Sequence, residues 1–230
     1  MLMNKFNLGF ILLFHSMLIL ANAQDWANLN RYSAENSALK LPVKGEHRVV
    51  FMGNSITDSW IKFHPEYFED HPYIDRGISG QTTPQMLLRF RSDVIDLKPA
   101  VVVILAGTND IAGNTGPMSL DMIRDNIISM VELAQANGIK VILASVLPAS
   151  EYPWKKGMGP AIKIPALNKL LREYAHQSGI VYLDYFEVMV DKQMGLIAEL
   201  TYDGVHPNRA GYDVMEALVE QALLKALAFP

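Results

Sequence analysis

The 230-residue chain is 50% apolar and carries 20 Lys+Arg against 24 Asp+Glu, a formal net charge of −4. That length suits one domain with a substantial core and leaves little for a second. A mildly acidic balance with no basic run argues against a nucleic-acid partner, and the absence of cysteine excludes disulfides, thiolate metal sites and a cysteine nucleophile.

The first 23 residues read as an export signal. Lys5 supplies a positive n-region, and Phe6 to Leu20 is an apolar run interrupted by Asn7, His15 and Ser16. Ala21-Asn22-Ala23 has the small-x-small form of a cleavage site. The run is shorter than the roughly 20 residues a membrane span needs, and no lipoprotein cysteine follows. Cleavage after Ala23 is expected to leave a single periplasmic or secreted domain over 24–230, with 19 Lys+Arg against 24 Asp+Glu and no lasting membrane insertion.

Trp26, Leu29 and Tyr32 at helical spacing predict a leading helix or an arm that covers an edge of the core. His47 to Met52 is a strand buried on both faces. A crossover runs from Asn54 to about Phe68, a short strand covers Tyr73 to Arg76, and a glycine-containing turn covers Gly77 to Pro84. The two glycines in that turn mark close backbone approach or positive φ, and Pro84 suits the first turn of a helix reaching about Leu97. Ala100 to Ala106 is a continuous β-branched run, as in a central parallel strand. Ser119 caps a helix with Ile123, Ile127, Met130, Val131 and Ala134 at a 3.6-residue period, and Gly138 ends it. Lys140 to Ser145 is the next strand, then a loop over 147–159, a helix over about 161–177, and a strand at Val181 to Leu183. Thr201 to Asn208 leads into the last helix. Five strands alternating with helices predict an α/β fold, a parallel sheet covered on both faces.

Ser55 admits two readings. With Asp58 it fits the S-x-x-D capping box, in which its hydroxyl accepts a helix N–H. At the end of a strand turning into a helix, the same hydroxyl can also be presented to a substrate. A serine nucleophile needs a base, and the base needs a third group to orient it. Among the histidines, His206 follows Asp203 by three residues on a Gly-containing turn, close enough for the carboxylate to accept Nδ1–H and leave Nε2 free; a surface Asx turn is the plainer alternative. His47, His64, His71 and His176 read as structural. An oxyanion needs donors: the Ser55 N–H, the backbone at Gly80 and the Asn109 amide are candidates, each also explicable as a turn or cap. Ser55, Gly80 and Asn109 fall just after the first three strands, at the edge where open α/β sheets bind ligands. Tyr152 and Trp154 in the 147–159 loop are candidate substrate contacts. No phosphate-cradling glycine motif and no metal-ligand spacing is present.

Together these stretches resemble the SGNH hydrolases, also called the GDSL esterase/lipase family, over nearly the whole chain after the signal. Gly53-Asn54-Ser55 matches the first block, Gly80 the second, Asn109 in Gly107-Thr108-Asn109-Asp110 the third, and Asp203 with His206 the last. Asn54 departs from the aspartate the family usually carries there. The G-x-S-x-G elbow is not met, because Thr57 stands at its second glycine. The resemblance implies a flavodoxin-like three-layer α/β/α sandwich with a five-stranded parallel sheet. It implies Ser55 as nucleophile, Asp203 and His206 as its partners, and an oxyanion hole of Ser55, Gly80 and Asn109, with no metal and no cofactor. Trp60 and Ile111-Ala112-Gly113 are similar to the branch that includes platelet-activating-factor acetylhydrolase and bacterial carbohydrate O-acetylesterases. That implies a small-molecule or glycan ester substrate with a short acyl group. A lysophospholipase or thioesterase acting on longer chains, and a non-catalytic binding module, are the alternatives.

Overall fold

The apolar runs become strands. β1 (Val49–Gly53), β2 (Tyr73–Gly77), β3 (Val101–Ile104), β4 (Lys140–Ala144) and β5 (Val181–Leu183) form one all-parallel sheet in the order β2-β1-β3-β4-β5. This is a computed structural model that describes residues 25–228. The expected signal segment lies outside the described residues. Alternate side chains point to opposite faces, and the sequence exploits this. Val50, Met52, Val102, Ile104, Val141 and Leu143 enter one core, while Val49, Phe51, Val101, Val103, Ile142 and Ala144 enter the other.

Helices close both faces. α4 (Thr83–Asp93), α6 (Leu120–Ala136) and α7 (Pro160–Ser178) cover the first core. α2 (Ser55–Phe63), α3 (Pro65–Glu69), α8 (Tyr185–Met189) and α9 (Arg209–Ala228) cover the second. The Ser119 cap forms as expected, its side chain accepting from Met122 N at 3.1 Å. The expected first crossover is two helices, because Pro65 starts a new one after His64. Around Phe51, the rings of Trp60, Tyr67, Phe68 and Tyr73 pack edge-on at 5.4–6.2 Å, the geometry ring quadrupoles favour.

Two glycines let α2 approach the sheet. A Cβ on Gly53 would overlap Thr57 Oγ1, and one on Gly77 would overlap the Asp58 backbone nitrogen. Of the glycines flanking the second turn, Gly77 therefore serves close approach, while Gly80 serves positive φ, at +80°.

The N-terminal segment is an arm with a short helix, α1 (Ser33–Ala38), placed later than the Trp26–Leu29–Tyr32 spacing predicts. Trp26 and Leu29 are exposed and Tyr32 is buried, its hydroxyl donating to the Gly77 carbonyl. Polar bonds fasten the arm to the edge at β2 and α4. Gln81 Nε2 donates to Ala27 O at 2.7 Å, Gln85 Nε2 to Trp26 O at 2.7 Å, and Asn36 Nδ2 to Asp93 Oδ1 at 2.8 Å.

Asp75, buried on β2, makes stability depend on pH. Burial pushes its carboxyl up to about 7, although the Gly77 N–H bond to Oδ1 at 2.7 Å opposes the rise; Oδ2 has no partner among the described residues. The folded value exceeds the unfolded one of about 3.9. Stability is therefore greatest with Asp75 protonated and declines as pH climbs from about 4 through about 7. Asp75→Asn mimics the protonated form. It should melt close to wild type near pH 4.5 and be more stable by up to a few kcal/mol near pH 8. Thermal melts across that range check this, and a constant offset at every pH would reject it.

Candidate active site

The strand order switches from one side of β1 to the other between β1 and β3, and ligand crevices of open α/β sheets form at that point. Ser55 leaves β1 there. Asn54, buried and with φ −118° and ψ −138°, is the cap residue of α2, and no side chain caps that helix. The Ser55–Asp58 capping box does not form. Asp58 Oδ2 instead accepts from Ser79 Oγ at 2.5 Å, tying the first turn of α2 to the Gly80 turn. Ser55 Oγ lies 2.9 Å from His206 Nε2. Ser55 is the first residue of α2, and N–H groups there have no intrahelical partner.

His206 is held by a closed loop. Thr201 bridges Pro207, and Thr201 Oγ1 donates to His206 O at 2.7 Å and accepts the Gly204 N–H at 3.0 Å. Asp203 Oδ1 accepts the N–H groups of Val205 and His206 at 2.9 and 2.7 Å, and Oδ2 lies 2.7 Å from His206 Nδ1. Partial burial tends to raise the Asp203 carboxyl, but the bonds from His206 and Val205 outweigh it and hold it below the usual carboxylate range. An ionised carboxylate only accepts, so the proton belongs on Nδ1 and Nε2 is left to accept the Ser55 O–H.

The candidate oxyanion donors converge from two further loops. Gln81 N donates to Ile78 O at 3.3 Å, closing a turn with Gly80 at its third position. A positive φ there marks a type II turn, which favours glycine. Asn109, buried in the short helix α5 (Thr108–Ile111), donates through Nδ2 to Gln81 O at 3.0 Å, and its amide carries a second N–H. Asp110 Oδ1 accepts the Thr83 N–H and hydroxyl at 2.8 and 2.6 Å, locking this loop to the start of α4.

Around His206 the rings form a row. Trp154 lies 5.8 Å from the imidazole, and Tyr202 stacks on it at 5.8 Å; both are exposed. The structure corrects the expectation for Tyr152. It is fully buried, stacks on Trp154 at 5.1 Å, and its hydroxyl accepts from Thr108 at 3.0 Å, so it supports Trp154 and offers no surface to a substrate. Thr201, Tyr202, Gln81 and Arg89, which sequence reasoning does not single out, contact the candidate residues or the turns that carry them.

Among the described residues, His64, Asp213 and Glu216 are spaced as metal ligands could be, at the opposite end of α2 from Ser55. Glu216 already accepts the Trp60 Nε1–H at 2.9 Å. Clefts of about 430 and 500 Å³ open at the edge of the sheet away from Ser55, around Ile139. Neither is lined by a serine or histidine, so chemistry locates the site and cleft size does not. A cavity of about 10 Å³ sits beside the turn that carries Ser55, between Asn54, Ile56, Thr108 and Val146.

A hydroxyl–imidazole–carboxylate line at the carboxyl edge of a parallel sheet, partly open to solvent, defines the class of α/β serine hydrolases. The model of the GDSL-like lipase/acylhydrolase family matches residues 51–214. The chain belongs to that family of SGNH esterases and acylhydrolases. A GDSL-like lipase structure from Bacteroides thetaiotaomicron superposes with a TM-score of 0.85 at 54% identity, covering 87% of this chain and 98% of that one. Esterase TesA of Pseudomonas aeruginosa is 27% identical over 74% of this chain and 81% of its own. An acetylxylan esterase of Xylanibacter ruminicola is 23% identical over 81% of this chain and 45% of its own. The chain spans between 33% and 81% of the length of the curated relatives it matches.

Proposed function

We propose that the chain is an exported serine esterase that removes short acyl groups, acetyl above all, from a carbohydrate or related alcohol. The observation that carries the reading is the continuous line Asp203–His206–Ser55, at 2.7 and 2.9 Å. Ser55 Oγ attacks the ester carbonyl as His206 Nε2 takes its proton, and Asp203 stabilises the imidazolium that forms. The N–H groups of Ser55 and Gly80 and the free Asn109 amide hydrogen receive the oxyanion, aided by the positive end of α2. His206 returns the proton to the departing alcohol. Water then enters by the same route and releases the acid and free Ser55. The chemistry needs no metal or cofactor.

The short acyl group is supported by the acetylxylan esterase among the relatives. The carbohydrate alcohol is supported by exposed Trp154 beside His206 and by the acetylxylan esterase among the relatives. Export rests on the signal-like first 23 residues; among the described residues no helix is long and apolar enough to cross a membrane. Acetate release from a panel of acetylated glycans, beside aryl esters of graded chain length, tests the assignment. Aryl acetate should be cleaved on the order of 10²-fold faster than aryl octanoate, about 2.7 kcal/mol of barrier. A preference for octanoate would replace this reading with the long-chain one.

A further inference from the structure

Arg89 is fully buried, yet its guanidinium is divided among three partners, two of them on turns of the site. Nη2 donates to the Gly53 carbonyl at 2.9 Å, two residues before Ser55. Nε donates to Gln81 Oε1 at 2.6 Å, next to Gly80. Nη1 pairs with Asp93 Oδ2 at 2.9 Å, whose other oxygen accepts from Asn36 of the arm. Gln81 extends the reach: its carbonyl accepts from Asn109 Nδ2 at 3.0 Å, and its own Nε2 donates to Ala27 O. The Gly53 carbonyl also takes the Ile78 N–H at 3.2 Å. One side chain thus connects the turn that carries Ser55, the turn that carries Gly80, and through Gln81 the rotamer of Asn109.

Burying a guanidinium for stability alone is a poor bargain. Apolar residues of similar volume commonly serve as well or better, and α4 already buries Met86 and Phe90 on the same face. The planar fork of arginine does offer what an apolar chain cannot, several bonds in fixed directions at once. We infer that Arg89, with Gln81, is a positioning residue for the oxyanion hole, fixing the Ser55, Gly80 and Asn109 donors relative to one another. The inference rests on the serine-esterase reading of the site.

Two variants test it. Arg89→Lys keeps the charge beside Asp93 but cannot bond Gly53, Gln81 and Asp93 together. Arg89→Met with Asp93→Met removes the buried pair whole and leaves no orphan charge. For each, kcat and KM on an aryl acetate are measured beside the melting temperature. Affinity is measured for an alkylboronic acid, which forms a tetrahedral adduct on the serine. Misaligning one or two donors should lower kcat about 10²–10³-fold, leave KM within about threefold, and weaken the boronic acid in step with kcat. A folded variant with kcat and boronic-acid affinity within about threefold of wild type would overturn the inference. So would a change confined to KM, or failure of both variants to fold, since the network would then be purely structural. Activity in Ser55→Ala would instead remove the underlying reading, so the two failures are distinguishable.

Discussion

Ser55→Ala should lose kcat on an aryl acetate by roughly 10⁴–10⁶-fold, and His206→Ala should lose a similar amount. The two act as one unit, so the double variant should be scarcely worse than either single one. Among the described bonds, Ser55 Oγ has His206 Nε2 as its partner and caps no helix. Its removal should therefore leave the melting temperature close to wild type. That combination separates a nucleophile from a structural serine: loss of a cap would cost on the order of 1 kcal/mol of stability and little activity. Steady-state rates and thermal melts of the purified variants check it, and Ser55→Ala retaining a tenth of the wild-type rate would refute the role.

Asp203→Asn should lower kcat by about 10⁴-fold while keeping the fold. The asparagine oxygen can still accept the Val205 and His206 N–H groups that Oδ1 accepts now, so the loop keeps its shape. What changes is the imidazole. An amide nitrogen opposite Nδ1 donates where the carboxylate accepted, which drives the ring proton to Nε2. His206 then faces Ser55 with a donor and cannot take its proton. Proton NMR of the ring would register the tautomer change directly, and a kcat within tenfold of wild type would show that Asp203 does not set it.

Much of this arrangement is legible in the sequence because it is written in short periods. The β-branched run around Val101–Ile104 and the stripe Ile123, Ile127, Met130 announce strand and helix without tertiary information. The close spacing of Asp203 and His206 makes their bond a local matter, and the structure brings Ser55 to them from 151 residues away. Other features depend on distant partners. Ser55 with Asp58 has the local pattern of a capping box, and only the position of Ser79 shows where the Asp58 carboxylate goes. The spacing of Trp26, Leu29 and Tyr32 suggests a helix, yet bonds from Gln81, Gln85 and Asn36 shape that arm. Tyr152 reads as a substrate contact because burial is not visible in a loop sequence. Arg89 did leave a trace. It lies with Asp93 on the same stripe of α4 as Met86 and Phe90, a charged pair four residues apart on a buried face. Such a pair is ordinarily taken for a solvated one. Asn54 is explained in part: it is the buried cap residue of α2 and lines the small cavity, while nothing in the structure requires asparagine over aspartate.

The central claim is that Ser55 becomes covalently acylated. The most direct measurement treats the folded protein with a fluorophosphonate and locates the adduct by peptide mass spectrometry. The account predicts one adduct, on the peptide bearing Ser55, formed slowly in Asp203→Asn and absent in Ser55→Ala. An unlabelled Ser55 in folded wild-type protein, or an adduct on a different serine, would contradict it.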